Sequence, residues 1–170
     1  RESHYDSRGN AVLMQDAEDR FARSTFDDLG RLIRLERFAD DPVNAGAHLL
    51  QRSEFHYDKN SRKTTDIAFS DAKNPASAQI THYVYNDADW QTLKVYPDSE
   101  DADDEVRVAF DANGNPIWVR DQRGVMFTNI FDLGNRLTDQ FIALPPTVPG
   151  TTRQSFGYDP LNRLTNAANN

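Results

Sequence analysis

The chain contains no cysteine among its 170 residues. Disulfide bonds and thiolate metal sites are therefore excluded, and the sequence gives no indication of the redox compartment. No apolar run approaches the roughly 18 residues of a membrane-spanning helix, and residues 1–5 have no apolar signal segment. Basic residues are also few, with 19 Lys and Arg against 27 Asp and Glu. The net charge of −8 argues against nucleic acid as a partner.

Histidine is scarce as well, since only His4, His48, His56 and His82 are present. None belongs to an H-x-H, H-x-x-x-H or H-E-x-x-H arrangement, so zinc has little support. No G-x-S-x-G motif is present to place a nucleophilic serine. The sequence therefore predicts no enzyme, no metal site and no cofactor.

What the chain does contain is an internal repeat. Residues 5–32 align without a gap on residues 110–137, at an offset of 105, with eight identities in 28 positions. Ordinary composition would give roughly two identities by chance. With 38% apolar and 27% charged residues, the chain is expected to fold. Internal repetition is typical of an array of similar units.

The repeated unit is an aromatic residue, Asp or Asn, two variable residues, then Gly, Asn, Ser or Asp. Seven units start near residues 5, 26, 57, 85, 110, 131 and 158, and we interpret residues 1–170 as one repeat region. The chain begins at Arg1, just ahead of a motif, which predicts a piece of a larger polypeptide. The predicted turn-motif residues are Tyr5, Asp6, Gly9, Phe26, Asp27, Gly30, Tyr57, Asp58, Phe110, Asp111, Gly114, Phe131, Asp132, Tyr158 and Asp159.

The chemistry of this unit is local. The aromatic residue is expected to end a strand and to offer its ring to a core. The Asp carboxylate can accept backbone N–H groups two residues on and so close an Asx-type turn. A residue that tolerates left-handed backbone follows, and Gly134 is expected to take that place in the Asp132 copy. In the best copies a second turn begins half a unit later, at Asp16 and Asp121.

Turn signals every ten or eleven residues predict an all-β fold, an antiparallel meander that forms part of a curled or spiral sheet. Residues 31–38 also fit helical spacing, but we favour a strand. Insertions at residues 40–48, 97–105 and 144–152 are expected to cross the rim of the sheet. A β-propeller is the alternative fold, since two units approach the length of one blade.

The tyrosine–aspartate turns, the DxxGN and DxxGRL motifs and the period near 21 residues resemble RHS (YD-repeat) proteins. This resemblance implies a long β-sheet wound into a hollow shell, as in bacterial RHS effectors, Tc toxin cocoons and teneurins. It further implies a secreted or cell-surface location, and partners that are neighbouring repeats and an enclosed toxin or effector polypeptide. The RHS core signature that precedes self-cleavage is missing, so no autoproteolysis is carried over.

Two other functions remain open. Trp90, Trp118, Tyr83, Tyr85 and Tyr96 could stack on sugars in an adhesion or carbohydrate-binding module, although such rings more often pack within a sheet. A hydrolase is the least favoured, since the same Asp recurs in every turn while two unequal carboxylates are needed.

Two further features concern charge and edges. The acidic segment from Asp98 to Glu105 could bind Ca²⁺, but it lacks a spaced ladder of ligands and is expected to be a solvated loop. Open edge strands predict self-association of the chain or a requirement for neighbouring repeats.

Overall fold

The fold is built almost entirely of β-strands. The computed structural model describes residues 2–43, 46–97 and 105–170. These residues form fourteen strands that follow one another in the sheet in sequence order, as a meander. The predicted all-β antiparallel meander is confirmed, and residues 31–38 contain a strand as expected. In the described ranges no helix is long and apolar enough to cross a membrane.

The chain divides into two compact units, Arg1–His82 and Tyr83–Asn170. Strand β7 crosses this boundary. The first unit contains β1 (Ser3–Tyr5), β2 (Ala11–Gln15), β3 (Phe21–Phe26), β4 (Leu32–Phe38), β5 (Leu49–Tyr57), β6 (Lys63–Phe69) and the start of β7 (Ala78–Tyr85). The second contains the end of β7, β8 (Gln91–Val95), β9 (Glu105–Phe110), β10 (Pro116–Arg120), β11 (Met126–Phe131), β12 (Leu137–Ala143), β13 (Arg153–Tyr158) and β14 (Leu164–Asn169). The single repeat region stays a prediction.

Within each unit the turns of the aromatic–Asp motif lie at one edge, and the long connections lie at the opposite edge. Successive antiparallel strands reverse direction, so every second turn falls at the same edge. In the first unit the turns at Asp6, Asp27 and Asp58 share one edge. The turn at Asp16 and the connections 39–48 and 70–77 lie at the other. The uneven spacing of the motif therefore arises at one edge only.

Two of these connections differ from expectation. Residues 70–77 form a connection that the sequence analysis did not single out, and it contains a short 3₁₀ turn, Pro75–Ser77, capped by the Asn74 side chain. Most of the acidic segment, residues 98–104, lies outside the described residues. Its last member, Glu105, was expected in the loop but begins β9 and is buried, because it pairs with Val95 in the sheet.

The strands bury little apolar surface. Among the described residues only Phe38, Ala72 and Val125 are buried hydrophobic side chains. The accessible surface is 11147 Å² for a chain of 19.3 kDa. A compact monomer of that mass exposes about 8,500 Å². Much of the area of the two sheet faces is therefore open to solvent.

Cross-strand ion pairs cover part of one face of the first unit. Arg23 lies directly opposite Glu36, and their side chains are 2.8 Å apart. Arg34 and Glu54 form the same kind of pair at 3.0 Å. The Arg23 guanidinium also lies 5.0 Å from the centre of the Phe38 ring. These contacts add cross-strand stabilisation where the hydrophobic core is thin.

Candidate functional site: the aspartate clasp turns

The strands are joined by nine turns of one design in the described part of the chain. We call each of them a clasp turn and number its residues from the Asp or Asn, i, to i+4. The clasp turns begin at Asp6, Asp16, Asp27, Asp58, Asn86, Asp111, Asp121, Asp132 and Asp159. In every one the side-chain Oδ1 of residue i accepts the backbone N–H groups of i+2 and i+4, at 2.8–3.0 Å.

Backbone bonds close the same loop. The N–H of residue i donates to the carbonyl of i+4 at 2.9–3.0 Å in all nine turns. Residue i+3 has positive φ in each, either as glycine or as the non-glycine residues Asp19, Ser61, Asp89, Asn135 and Asn162. Asn and Asp tolerate this backbone better than other side chains do. In the Asp132 turn the left-handed residue is Asn135, whereas the sequence analysis expected Gly134.

The second carboxylate oxygen binds the side chain of i+4 in most of these turns. Nε of Arg31, for example, donates to Asp27 Oδ2 at 2.7 Å. Where i+4 is Asn, as at Asn10 and Asn115, the amide Nδ2 donates instead, at 2.8 Å. The sequence analysis assigned no role to the residue four positions after the Asp and missed this one. Arg or Asn recurring four residues after Asp was the available signal.

The bonds of the clasp stabilise the ionised carboxylate. The pKa of each of the eight clasp aspartates lies below its ordinary value. The side-chain hydrogen bond from Asn115 is the largest cause at Asp111, and the backbone N–H of Arg31 is the largest at Asp27. Each clasp carboxylate therefore accepts its hydrogen bonds within its own turn.

A β-bulge accompanies six of the clasps. The strand register slips by one residue at i+6, and the skipped positions are Val12, Ile33, Thr64, Ile117, Thr138 and Thr165. All six are β-branched, a type that fits the pleated backbone. A bulge increases the local twist of the strand that carries it. The motif therefore specifies a bend as well as a turn.

Neighbouring clasp turns are also tied to each other. In the first unit Nη1 of Arg8 donates to the Asp28 carbonyl at 2.6 Å. Nη1 of Arg31 donates to the Asp58 carbonyl at 3.0 Å, and its guanidinium lies 4.9 Å from the centre of the Tyr57 ring. The Tyr57 hydroxyl donates in turn to the Leu32 carbonyl at 2.8 Å.

The second unit repeats these ties. Arg136 donates to the Asp159 carbonyl at 3.3 Å and lies 5.1 Å from the Tyr158 ring centre, while the Tyr158 hydroxyl donates to the Leu137 carbonyl at 3.0 Å. Nδ2 of Asn115 donates to Asn135 Oδ1 at 2.8 Å. We call the edge that carries the aromatic–Asp motif turns the clasp edge. In each unit it contains a row of three linked turns. The Tyr57 and Tyr158 hydroxyls donate to the strand that precedes their own, a role beyond the predicted core packing.

Several of the aromatic rings proposed for carbohydrate binding are occupied by protein groups. Trp90 packs on Gly114, and its ring centre lies 5.3 Å from that of Phe110. Nζ of Lys94 lies 4.3 Å from the centre of the Tyr96 ring and 6.0 Å from that of Tyr83. Trp118 is half-buried opposite Thr128. These contacts favour a packing role for the rings of Trp90, Tyr96 and Tyr83.

The concave regions of the first unit differ in the side chains that line them. One of about 650 Å³ is lined by Glu2, His4 and Asp41 together with apolar residues. A groove of about 800 Å³ in the first unit is lined by Met14, Ala22 and Leu50, with Asp16 as its single carboxylate. Asp16 is held by its own clasp. His56 and His82 are exposed and lie two strands apart, on either side of Thr65. Within the described ranges no three Asp, Glu or His residues group as metal ligands would.

Comparison with known proteins finds similarity at the level of structure. No family model and no curated protein matches the sequence. The chain superposes on the Tc holotoxin pore of Photorhabdus luminescens with a TM-score of 0.55 and 10% identity, over 99% of this chain and 11% of the other. For the TcdB2–TccC3 protein without its hypervariable C-terminal region the TM-score is 0.56 at 14% identity, over 98% and 10% of the chains. This chain therefore shares a fold with about a tenth of those proteins.

Proposed function

We propose that this chain is a wall segment of an RHS-type, YD-repeat β-shell that encloses a toxin or effector polypeptide and carries out no chemistry itself. The row of linked clasp turns is the observation that carries the proposal. Within each unit it joins neighbouring hairpins by hydrogen bonds between their turns, which is how a sheet can be extended hairpin by hairpin. The similarity in fold to a part of the TcdB2–TccC3 toxin proteins supports the same reading.

The small number of buried hydrophobic side chains supports a role as part of a shell wall. A free-standing globular domain buries its apolar faces between two layers. Here one face of the second unit exposes Met126, Ile130 and Phe141. We interpret this face as one that contacts another polypeptide. In the proposed shell that polypeptide is the cargo or a further part of the wall.

The chemistry of the clasps supports a non-enzymatic role. Catalysis by paired carboxylates needs two groups whose environments push their pKa values apart. The clasp aspartates instead have matching partners and pKa values shifted in the same direction. The proposal extends to location, since a shell around an effector belongs to a secreted or surface-delivered bacterial protein.

The test is electron cryo-microscopy of the full-length gene product, together with protease protection of any enclosed segment. We expect this region in the wall of a hollow shell, and an internal polypeptide that trypsin cleaves far more slowly than the same polypeptide expressed alone. Equal cleavage rates, or a region packed as part of a solid domain, would contradict the proposal.

A matched pair of substitutions sharpens the test. Asp132→Ala removes a clasp and is expected to make the enclosed segment more sensitive to trypsin. Asp87→Ala changes an exposed residue at the tip of the Asn86 turn and should leave protection unchanged. If both variants protect the segment equally well, the clasps do not maintain the wall.

A further inference from the structure

The two faces of the sheet in the first unit differ in charge. Successive residues of a strand point to opposite faces, so Arg37 points away from the face on which Arg23 pairs with Glu36. Directly opposite Arg37 lie Ala22 on β3 and Gln51 on β5. The next row inward on the same face consists of Ser24, Leu35 and Ser53. Neither of these two rows contains a carboxylate.

Arg37 is consequently an unusual arginine in this unit. The other described arginines of the first unit each pair with a carboxylate, and they are Arg8, Arg20, Arg23, Arg31, Arg34, Arg52 and Arg62. Arg37 is exposed and has no ion pair, hydrogen bond or ring contact within the described ranges. Its guanidinium therefore presents N–H donors that no described protein group accepts.

Arg37 lines the groove of about 800 Å³ described above, together with apolar side chains. Met14 and Ala22 lie opposite each other on β2 and β3 and form one part of its surface. Leu50 is the extra residue of a bulge in β5, because Gln51 pairs with Arg37 while Leu49 pairs with Phe38. A bulge changes the direction of a side chain, and Leu50 here lines the same groove as Arg37 and Gln51.

The other charges that line the groove are already paired. Nε of Arg20 donates to Asp16 Oδ2 at 2.9 Å, and the Arg20 guanidinium also pairs with Glu18. Arg37 is thus the groove-lining charge that lacks a counter-ion among the described residues. A guanidinium beside apolar side chains complements a ligand that combines apolar groups with a carboxylate.

We propose that this groove binds a polypeptide segment in which a Glu or Asp lies among apolar residues. The carboxylate accepts hydrogen bonds from Arg37 and Gln51, and the neighbouring apolar side chains cover Met14 and Leu50. The groove crosses four strands, about 14 Å, which an extended segment of about four residues spans. A small-molecule site encloses most of its ligand, whereas Met14 and Leu50 are 45% and 51% exposed on a sheet face. The inference depends on this face and not on the proposed shell function.

Fluorescence anisotropy with synthetic peptides tests the chemistry of the ligand. The probe is the peptide SGLVELLGS, blocked at both ends and labelled with a neutral dye, and it is titrated with the full chain. We expect a Kd below about 1 mM. The matched peptide SGLVQLLGS lacks the carboxylate and should bind about fivefold more weakly. The peptide SGSSESSGS keeps the carboxylate but lacks the apolar side chains, and should bind at least about tenfold more weakly.

Variants of the chain test the residues of the groove. Arg37→Gln is expected to weaken binding of the Glu peptide about fivefold and to leave binding of the Gln peptide unchanged, because the guanidinium recognises the carboxylate. Leu50→Ser should weaken both peptides by the same factor. Lys59→Gln removes one positive charge at an exposed turn outside the groove, and should change neither affinity. Circular dichroism spectra check that the three variants retain the fold.

Crosslinking locates the bound peptide. A photoreactive leucine analogue in the Glu peptide should label residues 14–22 or 50–51, as identified by mass spectrometry. Labelling confined to the exposed face of the second unit, at Met126 or Phe141, would overturn the proposal. So would the absence of binding up to 1 mM, equal affinities for the Glu and Gln peptides, or an Arg37→Gln variant that keeps the preference for Glu. None of these results would decide whether the full-length protein is a shell.

Discussion

At the scale of single residues, the chain uses carboxylates as ligands for its own backbone. Each clasp Asp gathers two backbone N–H groups on one oxygen, and most bind a side chain on the other. Hydrogen bonds to an ionised acceptor are stronger than neutral ones, and satisfying turn N–H groups removes the penalty of leaving them unpaired. Asn86 shows that the amide oxygen can serve as the same acceptor.

The first prediction concerns Asp121, whose carboxylate is largely shielded from solvent and whose clasp ends at the buried Val125. Asp121→Ala is expected to lower the free energy of unfolding by about 2 kcal/mol, because two backbone N–H groups lose a charged acceptor. Urea denaturation followed by circular dichroism measures the change. Asp121→Asn retains the acceptor oxygen and should lose less than half as much. Equal losses for the two variants would show that the charge, and not the acceptor, stabilises the turn.

The second prediction compares two glycines with similar backbone. Gly9 and Gly114 both have positive φ, but an added Cβ meets nothing within 4 Å at Gly9 and lies 2.9 Å from Trp90 Cζ2 at Gly114. Gly9→Ala is expected to cost about 1 kcal/mol of left-handed strain. Gly114→Ala should cost about 1–3 kcal/mol more, because the Trp90 ring must move.

Urea denaturation measures both glycine variants. Tryptophan fluorescence gives an independent readout, since only Gly114→Ala should change the emission of the folded protein. If the two variants lose the same stability, the contact between Trp90 and the Gly114 turn does not constrain the structure.

At the scale of elements, the clasp hairpin is a unit with two different edges. The clasp edge is short and linked by arginine, tyrosine and asparagine, whereas the opposite edge accepts insertions such as residues 70–77. Lengthening a connection at that edge adds little loop-closure cost and leaves the pairing of strands intact. The unequal motif spacing is therefore compatible with one regular sheet.

The third prediction tests the tie between hairpins. Tyr158→Phe removes the hydroxyl that bonds to the Leu137 carbonyl and is expected to lower the free energy of unfolding by about 1 kcal/mol. Tyr5→Phe is the matched control, because the Tyr5 hydroxyl is exposed. It should change the free energy of unfolding by less than about 0.5 kcal/mol. If Tyr158→Phe leaves the free energy of unfolding unchanged, ring packing alone holds the two hairpins together.

At the scale of the whole molecule, the clasps make the free energy of unfolding depend on pH. The folded pKa of each clasp aspartate lies below its unfolded value, so the stabilisation is present above the unfolded pKa, which is about 3.9.

The fourth prediction follows from this direction. As the pH falls below about 4, the unfolded state binds more protons than the folded state, and the free energy of unfolding should decrease until the folded carboxylates also titrate. Urea midpoints measured between pH 7 and pH 2 check the curve. Asp111→Asn keeps the acceptor but removes one titrating group, and should make the decline shallower. A midpoint that stays constant down to pH 2.5 would contradict the proposed role of the ionised clasps.

The structure also shows where sequence reasoning stops. Each clasp bond joins residues no more than four apart, so Asp, Gly and the following Arg or Asn are visible in a single line of sequence. The choice between Gly134 and Asn135 as the left-handed residue depends on small differences in turn geometry, and the sequence analysis placed it one residue early. Ties such as Arg31 to Asp58 join residues 27 apart, and no local pattern predicts them.

The local sequence by itself determined the strand-and-turn alternation, because a turn closed by its own aspartate needs no distant partner. Only the tertiary structure decided which turns share an edge and which arginine stacks on which tyrosine. Those features depend on the order in which strands pair, and strand pairing joins residues that are far apart in the sequence.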